Sequence, residues 1–234
     1  MHDIRNRVFF SQRSTQAEYF DSVRPEPELR AFYNSLNQVN RLFDFAHPFK
    51  TVVPRLFGDG AVQQLEILDL GAGDGLLGQL LQEWARTHGW NWRFTNLDVN
   101  PVVLGLNGTG RNIAGSALSL PFVDGAFDLV IASQVTHHFD DSEAEQHLRE
   151  AWRVARRALL ISDLHRSPLL YVALKLLLIT RSFPRHFGLD GLLSVKRGWR
   201  ARELKQIALK AGVSDPKVAS YFHARILLEA SRAS

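Results

Sequence analysis

Apolar and polar residues follow two different patterns along the chain. Over about the first quarter, apolar positions recur with roughly helical spacing from Leu29 to Phe45, after a helix start signal at Glu26, and no strand-like run occurs. From there on, short apolar runs alternate with stretches of helical periodicity, which is the pattern of βαβ units. The pattern therefore predicts an N-terminal helical cap, residues 1–60, and an α/β domain, residues 61–234.

Five runs in the α/β domain have the composition of strands in a parallel sheet, where helices cover both faces. They are centred on residues 65–70, 92–98, 113, 127–132 and 158–162. Two more runs follow at 218–222 and 225–230, and we expect them to pair antiparallel at the end of the chain. The predicted fold is thus a Rossmann-like, doubly wound and mostly parallel seven-stranded sheet with an antiparallel C-terminal strand pair.

Helices are predicted from apolar periodicity and capping residues at 75–87, a short one from Pro101, 140–156, 169–180 and 200–211. Two segments are predicted to be irregular. Pro48 and Pro54 should interrupt the helical pattern of the cap, and residues 186–198, which contain three glycines, should form a loop.

The chain has no cysteine, so disulfides, a thiolate nucleophile and a cysteine-ligated metal are excluded. The absence of cysteine also fits a reducing compartment. The continuous apolar run in helix 169–180 is shorter than the roughly 20 residues that span a bilayer, and Lys175 interrupts it. We expect a cytoplasmic protein without a membrane-spanning helix.

Charge is distributed unevenly along the chain. Residues 1–150 hold 12 Lys/Arg and 19 Asp/Glu, a balance of −7, whereas residues 151–234 hold 16 and 5, a balance of +11, which together give the net +4. Such a basic C-terminal third fits an anionic partner such as nucleic acid, lipid or substrate. It fits equally a solvated, arginine-rich surface, and this is the interpretation that we favour.

The stretch from Leu65 to Gly75 combines an apolar strand with glycines at positions 71, 73 and 75, directly before a predicted helix. Such a turn lies at the carboxyl edge of a parallel sheet, where ligands bind, and glycine lets the backbone approach them closely. Leu76 stands where a dinucleotide-binding G-x-G-x-x-G turn would end, and the chain has no Gly-Lys-Ser/Thr of a P-loop. Asp98, at the end of the next strand, can accept hydroxyl protons of a ribose.

Four segments in this order carry a resemblance to a known family: the turn that begins at Asp69, then 97–100, 115–122 and 127–139. Together they resemble the class I S-adenosylmethionine-dependent methyltransferases over about residues 60–165. The most similar subgroup is the ubiquinone/menaquinone-biosynthesis-like, or type 11, methyltransferases that act on small molecules. Residues 163–167 also resemble an Asp-Leu-x-Arg-Ser segment of uncharacterised bacterial methyltransferases.

The resemblance implies S-adenosyl-L-methionine as cofactor and twelve residues that bind it. They are Asp69, Gly71, Ala72, Gly73, Asp98, Val99, Asn100, Ser116, Ala117, Leu118, Ser133 and Gln134. Without the resemblance, the glycines could form a plain turn and Asp98 could be a surface acid at a strand end. Ser116 departs from the pattern, since many relatives carry there an acidic residue that accepts the adenine amino group, and a hydroxyl is a weaker, neutral acceptor.

His137 and His138 follow the fourth strand, where the acceptor should enter, and are the candidate catalytic residues. A neutral imidazole, with a pKa of about 6.5, can help to ionise a phenol, whose pKa is about 10. The alternative is that one histidine packs structurally and neither is a base. We prefer His138 slightly.

His165 and Arg166 follow the fifth strand and are candidate substrate-binding residues, although they could equally form a polar cluster ahead of Pro168. The remaining histidines show no H-E-x-x-H or similar spacing, so the sequence predicts no metal site.

We therefore expect a methyltransferase of secondary metabolism that acts on a small, aromatic or polyketide-like acceptor, most simply by O-methylation of a phenol. The helical cap should shield the active site from water. A homodimer is an expected assembly, and no nucleic-acid partner is expected, because no RNA-binding module or N-P-P-Y-type loop occurs. The alternatives are C- or N-methylation of a small molecule, methylation of RNA or protein, and a non-catalytic homologue that only binds the cofactor.

Overall fold

The fold is a single seven-stranded sheet with helices on both faces, as the computed structural model describes it for residues 10–106, 110–181, 183–222 and 224–232. Residues 1–9 of the predicted cap lie outside the described residues. The strands are β1 Gln64–Leu70, β2 Asn91–Asp98, β3 Arg111–Ala114, β4 Phe127–Ser133, β5 Ala155–Leu164, β6 Lys217–Tyr221 and β7 Arg225–Ser231.

The strand order is β3-β2-β1-β4-β5-β7-β6. Strands β1 to β5 run parallel, and β7 pairs antiparallel with both β5 and β6. The order reverses between β1 and β4, which is where an open parallel sheet binds its ligands. The predicted Rossmann-like sheet with its antiparallel C-terminal pair is confirmed.

Eight helices connect or cover these strands in the described part of the chain. They are α1 Glu26–Leu42, α2 His47–Ala61, α3 Leu76–Thr87, α4 Pro101–Leu104, α5 Asp141–Val154, α6 Pro168–Thr180, α7 Arg185–Arg197 and α8 Ala201–Lys210. Two short 3-10 turns, Tyr19–Asp21 and Thr136–His138, precede α1 and α5. None of the described helices combines the length and the apolar composition needed to cross a bilayer.

Alternation along the strands divides the core into two layers. Leu68 and Leu70 of β1 pack on the side of α5 and α8, whereas Leu65 and Ile67 pack on the side of α2 and α3. Successive side chains of a strand point to opposite faces, so a nearly continuous apolar run supplies both layers.

Residues 186–198, predicted as a loop, form most of helix α7, and that prediction is wrong. Ideal Cβ atoms built on Gly188 and Gly191 would lie 3.5 Å from Leu178 and Leu174 of α6. The glycines therefore allow α6 and α7 to approach closely. The glycines that led to the prediction of a loop thus serve close packing between two helices.

The prolines of the cap do not break its second helix, which also corrects the sequence-based prediction. Pro48 lies in the first turn of α2, where a backbone N–H has no intrahelical partner to lose. Pro54 lies inside the same helix, which changes direction only at Gly58, whose φ is 68°. Phe49 and Val53 of α2 are fully buried against the sheet.

Candidate functional site

A cavity of about 1340 Å³ opens at the carboxyl ends of β1, β2 and β4. On one side it is lined by the glycine turn after β1 and by the end of β2, and on the other by the 3-10 turn Thr136–His138. Side chains from α1, α6 and α7 close it from above. The cavity therefore joins the predicted cofactor turn to the predicted catalytic histidines.

The glycine turn has a backbone that only glycine adopts easily. Gly71, Gly73 and Gly75 have φ angles of 63°, 57° and 78°, in the left-handed region. An added Cβ would overlap the Val135 side chain at Gly71 and would lie 2.7 Å from the Tyr33 ring at Gly73. The cap and the loop after β4 thus press directly on this turn.

Asp98 holds the turn in place from the end of β2. Its Oδ2 accepts the Gly73 N–H at 2.9 Å, and its Oδ1 accepts the Asn100 N–H at 2.9 Å. Burial raises the pKa of Asp98 above its usual range, and these hydrogen bonds only partly offset that shift. A carboxylate has about four acceptor positions, so it can accept further protons from a ligand.

Asp69 lies in the cavity wall with an unsatisfied acceptor. Its side chain is buried, and Oδ2 has no hydrogen-bond partner within the described residues. Burial, with a further contribution from Asp98, raises the pKa of Asp69 to about 8. Because a buried polar atom without a partner is costly, Oδ2 is a candidate to accept a ligand proton.

The side of the cavity next to β2 and β3 is lined by small residues. Val99, with 76% of its surface exposed, lines the cavity together with Ser116 and Ala117. Leu118, predicted to line it as well, does not, and its N–H donates to Ser116 Oγ at 3.1 Å.

Two side chains of α1 fasten the cap to the sheet at the cavity. Gln134, whose φ of 59° is unusual for a residue other than glycine, donates from Nε2 to Asn40 Oδ1 at 3.0 Å. Asn37 donates to Asp74 at 2.6 Å, directly beside the glycine turn. Backbone strain of this kind is often found at functional sites.

The two histidines are each oriented by a carboxylate. His137 is buried, and its Nδ1 lies 2.6 Å from Asp163 Oδ1, while its backbone N–H donates to Asp163 Oδ2. His138 is partly exposed to the cavity, and its Nδ1 lies 2.7 Å from Asp21 Oδ1. Since a carboxylate accepts the Nδ1 proton, Nε2 is left as the basic nitrogen of each neutral ring.

The two carboxylates are held in their charged forms. Burial pushes the pKa of Asp163 upward, but the charge and hydrogen bonds of His137 outweigh it, so the pKa is lowered. Burial likewise opposes ionisation of Asp21, but hydrogen bonds from His138 and Arg197 hold its pKa well below the usual range. Both acids can therefore stabilise an imidazolium.

Glu18 completes this cluster from the N-terminal segment. Its Oε1 accepts a hydrogen bond from Ser194 at 2.8 Å and lies 3.7 Å from His137 Nε2. Ligand atoms of Glu18, His137 and His138 lie within 4.8 Å of one another, close enough to be considered as a cation site. Arg197, 3.9 Å from Glu18, already supplies positive charge there. The expectation of no metal stays a prediction.

Residues 68–159 match the family model described as a methyltransferase domain. This segment contains the glycine turn, Asp98 and the histidine pair. Over these residues the chain carries a methyltransferase domain. No curated protein matches the chain in sequence.

Solved structures share the fold of this methyltransferase domain at low sequence identity. The plantazolicin methyltransferase BpumL, in complex with SAH, superposes with a TM-score of 0.65 at 12% identity, over 88% of this chain and 95% of that one. A Nostoc punctiforme PCC 73102 protein named as an O-methyltransferase gives 0.63 at 20% identity, over 99% and 68%. A methyltransferase from Aquifex aeolicus gives 0.60 at 17% identity, over 89% and 99%.

Arg166, predicted to contact the acceptor, does not line the cavity of the methyltransferase domain. Its buried guanidinium donates to Glu203 and to the backbone oxygens of Phe10 and Gly198. His165 also lies outside the cavity lining, in a bridge with Trp199. The Arg166 side chain thus connects β5 with α8 and the N-terminal segment, which fits the alternative role considered for this residue.

Several cavity residues were missed in the sequence. Glu18, Asp21, Tyr33 and Arg225 all line the cavity, yet none of them belongs to a recognisable motif. Only the aromatic richness of α1 hinted at a contribution from the cap. The first two lie more than a hundred positions before the histidines that they contact, so no spacing rule could have found them.

Proposed function

We propose that the protein transfers a methyl group from S-adenosylmethionine to the phenolic oxygen of a small, apolar acceptor, as part of secondary metabolism. The observation that carries this proposal is the hydrogen-bonded pair of His138 and Asp21 in the wall of a large cavity that is continuous with the glycine turn. Residues 68–159 match a methyltransferase domain, and the reaction type and the acceptor class are what we propose.

Three features of the cavity fit the cofactor. The glycine turn lines the cavity, Asp98 has free acceptor positions for ribose hydroxyls, and the unpaired Asp69 Oδ2 can accept from an ammonium group. Val99, Ser116 and Ala117 supply the surface against which an adenine would pack. When bound, S-adenosylmethionine would supply a methyl group on a sulfonium for in-line attack by the acceptor oxygen, with the neutral thioether as the leaving group and no covalent enzyme intermediate.

The remaining lining is suited to an apolar acceptor. Cavity side chains from α1, α6 and α7 are mostly aliphatic or aromatic: Leu29, Phe32, Leu170, Leu174, Leu178 and Phe187. Exclusion of water by these groups strengthens the polar interactions of the few charged residues at the reaction centre. We propose that residues 1–60 act as a cap over the active site and that residues 61–234 form the catalytic domain.

His138 is proposed as the general base. Its Nδ1–H is fixed by Asp21, so Nε2 can accept the proton of a phenol while the ionised Asp21 stabilises the resulting imidazolium. His137 is buried and fixed by Asp163, and its ring centroid lies 4.2 Å from that of His138. We therefore propose that His137 is a positioning residue that supports the orientation of His138.

The test is turnover by His138→Gln on a panel of phenols, hydroxyquinones and phenolic polyketides. Loss of the base should lower kcat by about 10²–10⁴ at neutral pH while leaving cofactor affinity unchanged. The loss should shrink for phenols of low pKa, because these are already ionised.

The matched control is His88→Gln, a solvent-exposed histidine at the end of α3, which should behave as wild type. A loss below tenfold would mean that His138 only lines the cavity. Cofactor binding without transfer to any phenol of the panel would refute O-methylation, and would favour another acceptor atom or a non-catalytic homologue.

The basic C-terminal third does not need a nucleic-acid partner to account for it. Arg166 pairs with Glu203, Arg197 pairs with Asp21, and Arg232 donates to the backbone oxygens of Trp152 and Ala155. These cations are used within the fold. Steeply salt-dependent binding to RNA would contradict this interpretation.

A further inference from the structure

Arg225 lines the cavity from β7, three strands away from the strand that leads into the glycine turn. In the antiparallel part of the sheet it is directly opposite Leu164 of β5 and Tyr221 of β6, and all three residues line the cavity. Residues opposite one another in a sheet have side chains on the same face. Because β7 is three strands away from β1 and strands are about 4.8 Å apart, the backbone of β7 lies roughly 14 Å across the sheet from that of β1.

The guanidinium of Arg225 has no anionic partner among the residues that the structure describes. Its Nη1 is buried and makes no hydrogen bond, and the side chain takes part in no ion pair. The charged neighbour that acts on it, Asp163, is already occupied by His137 and by the Leu164 N–H. Asp44, another acid of the cavity lining, lies 3.5 Å from Lys50.

A guanidinium nitrogen that is buried without a hydrogen-bond partner, as Nη1 of Arg225 is, is energetically costly, so its retention in a ligand cavity needs a reason. Burial lowers the pKa of Arg225 to about 10, and Asp163 only partly offsets this shift, so the group is still charged at neutral pH. Its planar fork of donors matches a carboxylate, which can accept two parallel hydrogen bonds.

Aromatic side chains surround the same end of the cavity. The ring centroids of Tyr221 and Phe222 are 4.6 Å apart, and those of His47 and Tyr221 are 6.1 Å apart. Phe222 has a φ of 45° and is 79% exposed, although it lines the cavity. Bulky residues rarely adopt this conformation, and it holds the ring at the cavity mouth, where a flat apolar ligand could stack.

We propose that Arg225 binds a carboxylate of the methyl acceptor, which makes the acceptor an apolar aryl carboxylic acid whose reacting hydroxyl faces His138. This inference rests on the proposed function and narrows its substrate class. The carboxylate would be held between Arg225 and the aromatic side chains of β6 and its following turn, while the apolar body of the acceptor lies along α6 and α7. A neutral ester of the same acceptor would leave the guanidinium unpaired and should bind poorly.

The test is calorimetric binding of matched pairs, each an alkyl-substituted hydroxybenzoic acid and its methyl ester, to the full chain loaded with S-adenosylhomocysteine. Wild type should bind the acids roughly tenfold or more tightly than the esters, because hydrogen bonds between charged groups are the stronger ones. Arg225→Met should remove this preference, and Arg225→Lys should keep part of it. Arg202→Met, which alters an exposed arginine of α8, should bind as wild type does.

Thermal unfolding and cofactor titration of each variant separate recognition from folding, and cofactor affinity should not change in Arg225→Met. The proposal is overturned if wild type does not prefer any acid over its ester, or if Arg225→Met keeps the preference. This outcome is distinct from a failure of O-methylation. The preference for acids over esters is measured as a binding affinity, whereas methyl transfer is measured as turnover. If the acids bind through Arg225 but no methyl is transferred, the recognition stands and the reaction type is wrong.

Discussion

At the scale of single residues, the aspartates of β1 and β2 differ in their hydrogen-bond partners. Asp98 accepts hydrogen bonds from the backbone N–H groups of Gly73, in the glycine turn, and of Asn100. Asp69, in contrast, has an oxygen with no hydrogen-bond partner in the described part of the chain. The Asp98 carboxylate is thus held in position without a ligand, whereas Asp69 Oδ2 would gain a hydrogen-bond partner only when a ligand binds. Both belong to the proposed cofactor site, but they should respond differently to substitution.

Asp98→Ala is expected to weaken binding of S-adenosylmethionine by about 10- to 100-fold, because hydrogen bonds from the ribose to a charged acceptor are lost. It should also loosen Gly73, whose N–H loses its acceptor. Calorimetry with purified protein measures the affinity, and circular dichroism should report an unchanged fold. Asp59→Ala, at an exposed position of α2, is the control. An unchanged affinity would remove Asp98 from the ribose site.

His147 is expected to limit stability in acid. It is fully buried in α5, its ring centroid lies 4.9 Å from that of Phe139, and burial lowers its pKa to about 4. Because the folded pKa is below the unfolded value of about 6.5, stability is complete above that value and is lost as the pH falls toward 4, by at most about 3 kcal/mol.

Urea unfolding of wild type and His147→Gln between pH 7 and 4 measures this contribution. The free energy of unfolding should fall less steeply with decreasing pH in the variant, whereas His88→Gln, which alters an exposed histidine, should follow wild type. Parallel curves for wild type and His147→Gln would show that protonation of His147 is not what destabilises the protein in acid.

At the scale of single elements, the unit of β1, glycine turn and α3 depends on its neighbours as much as on its own backbone. Val135, after β4, touches Gly71, and Tyr33, in α1, touches Gly73. The local sequence alone could form a strand, a left-handed turn and a helix. In the protein, side chains from other elements determine the shape of that turn. Substitutions in the turn should therefore cost more than backbone strain.

Gly71→Ala and Gly89→Ala separate these two costs. Both glycines have φ in the left-handed region, 63° and 74°, but nothing lies within 4 Å of a Cβ at Gly89. Gly89→Ala should lower the free energy of unfolding by about 1–2 kcal/mol through backbone strain, and Gly71→Ala should lower it by more through overlap with Val135. Chemical denaturation measures both. Equal losses would mean that Val135 moves aside without cost.

At the scale of the whole molecule, the N-terminal segment is part of the cavity in which we propose the active site. Asp190 of α7 accepts the N–H groups of Tyr19 and Phe20 at 2.9 and 3.1 Å, and Arg197 of the same helix pairs with Asp21. Helix α7 thereby positions the acid that orients His138. The proposed catalytic arrangement therefore combines the N-terminal segment with α7, although more than 160 positions separate them along the chain.

Asp190→Ala should therefore lower turnover without weakening cofactor binding. Without its acceptor, the turn Tyr19–Asp21 should exchange its amide hydrogens faster, and Asp21 should orient His138 less well. Hydrogen exchange and kcat, measured on the same preparation, test both halves of the expectation. Asp59→Ala is again the control. Faster exchange with unchanged kcat would uncouple this turn from catalysis.

The sequence by itself determined the sheet, the glycine turn, Asp98 and the place of the histidine pair. These features follow from local periodicity and from the rule that parallel strands end at a common edge, which makes neighbours of residues such as Gly73 and Asp98. This rule did not predict the positions of Leu118 and Arg166 or the helical structure of α7. A position at the carboxyl edge of the sheet does not determine where a side chain points. A glycine in the sequence does not show whether it forms a loop or allows two helices to pack closely.

Only the tertiary structure decided the chemistry around the histidines and the far end of the cavity. Asp21 reaches His138 and Arg225 joins the cavity through packing of α1, α7 and β7, which are distant along the chain. Such contacts leave no periodic signal, since each residue occurs once and its partner is chosen by the fold. That packing also determines the role of each arginine in the basic C-terminal third. Arg166 forms an ion pair with Glu203, whereas we infer that Arg225 is available to a ligand.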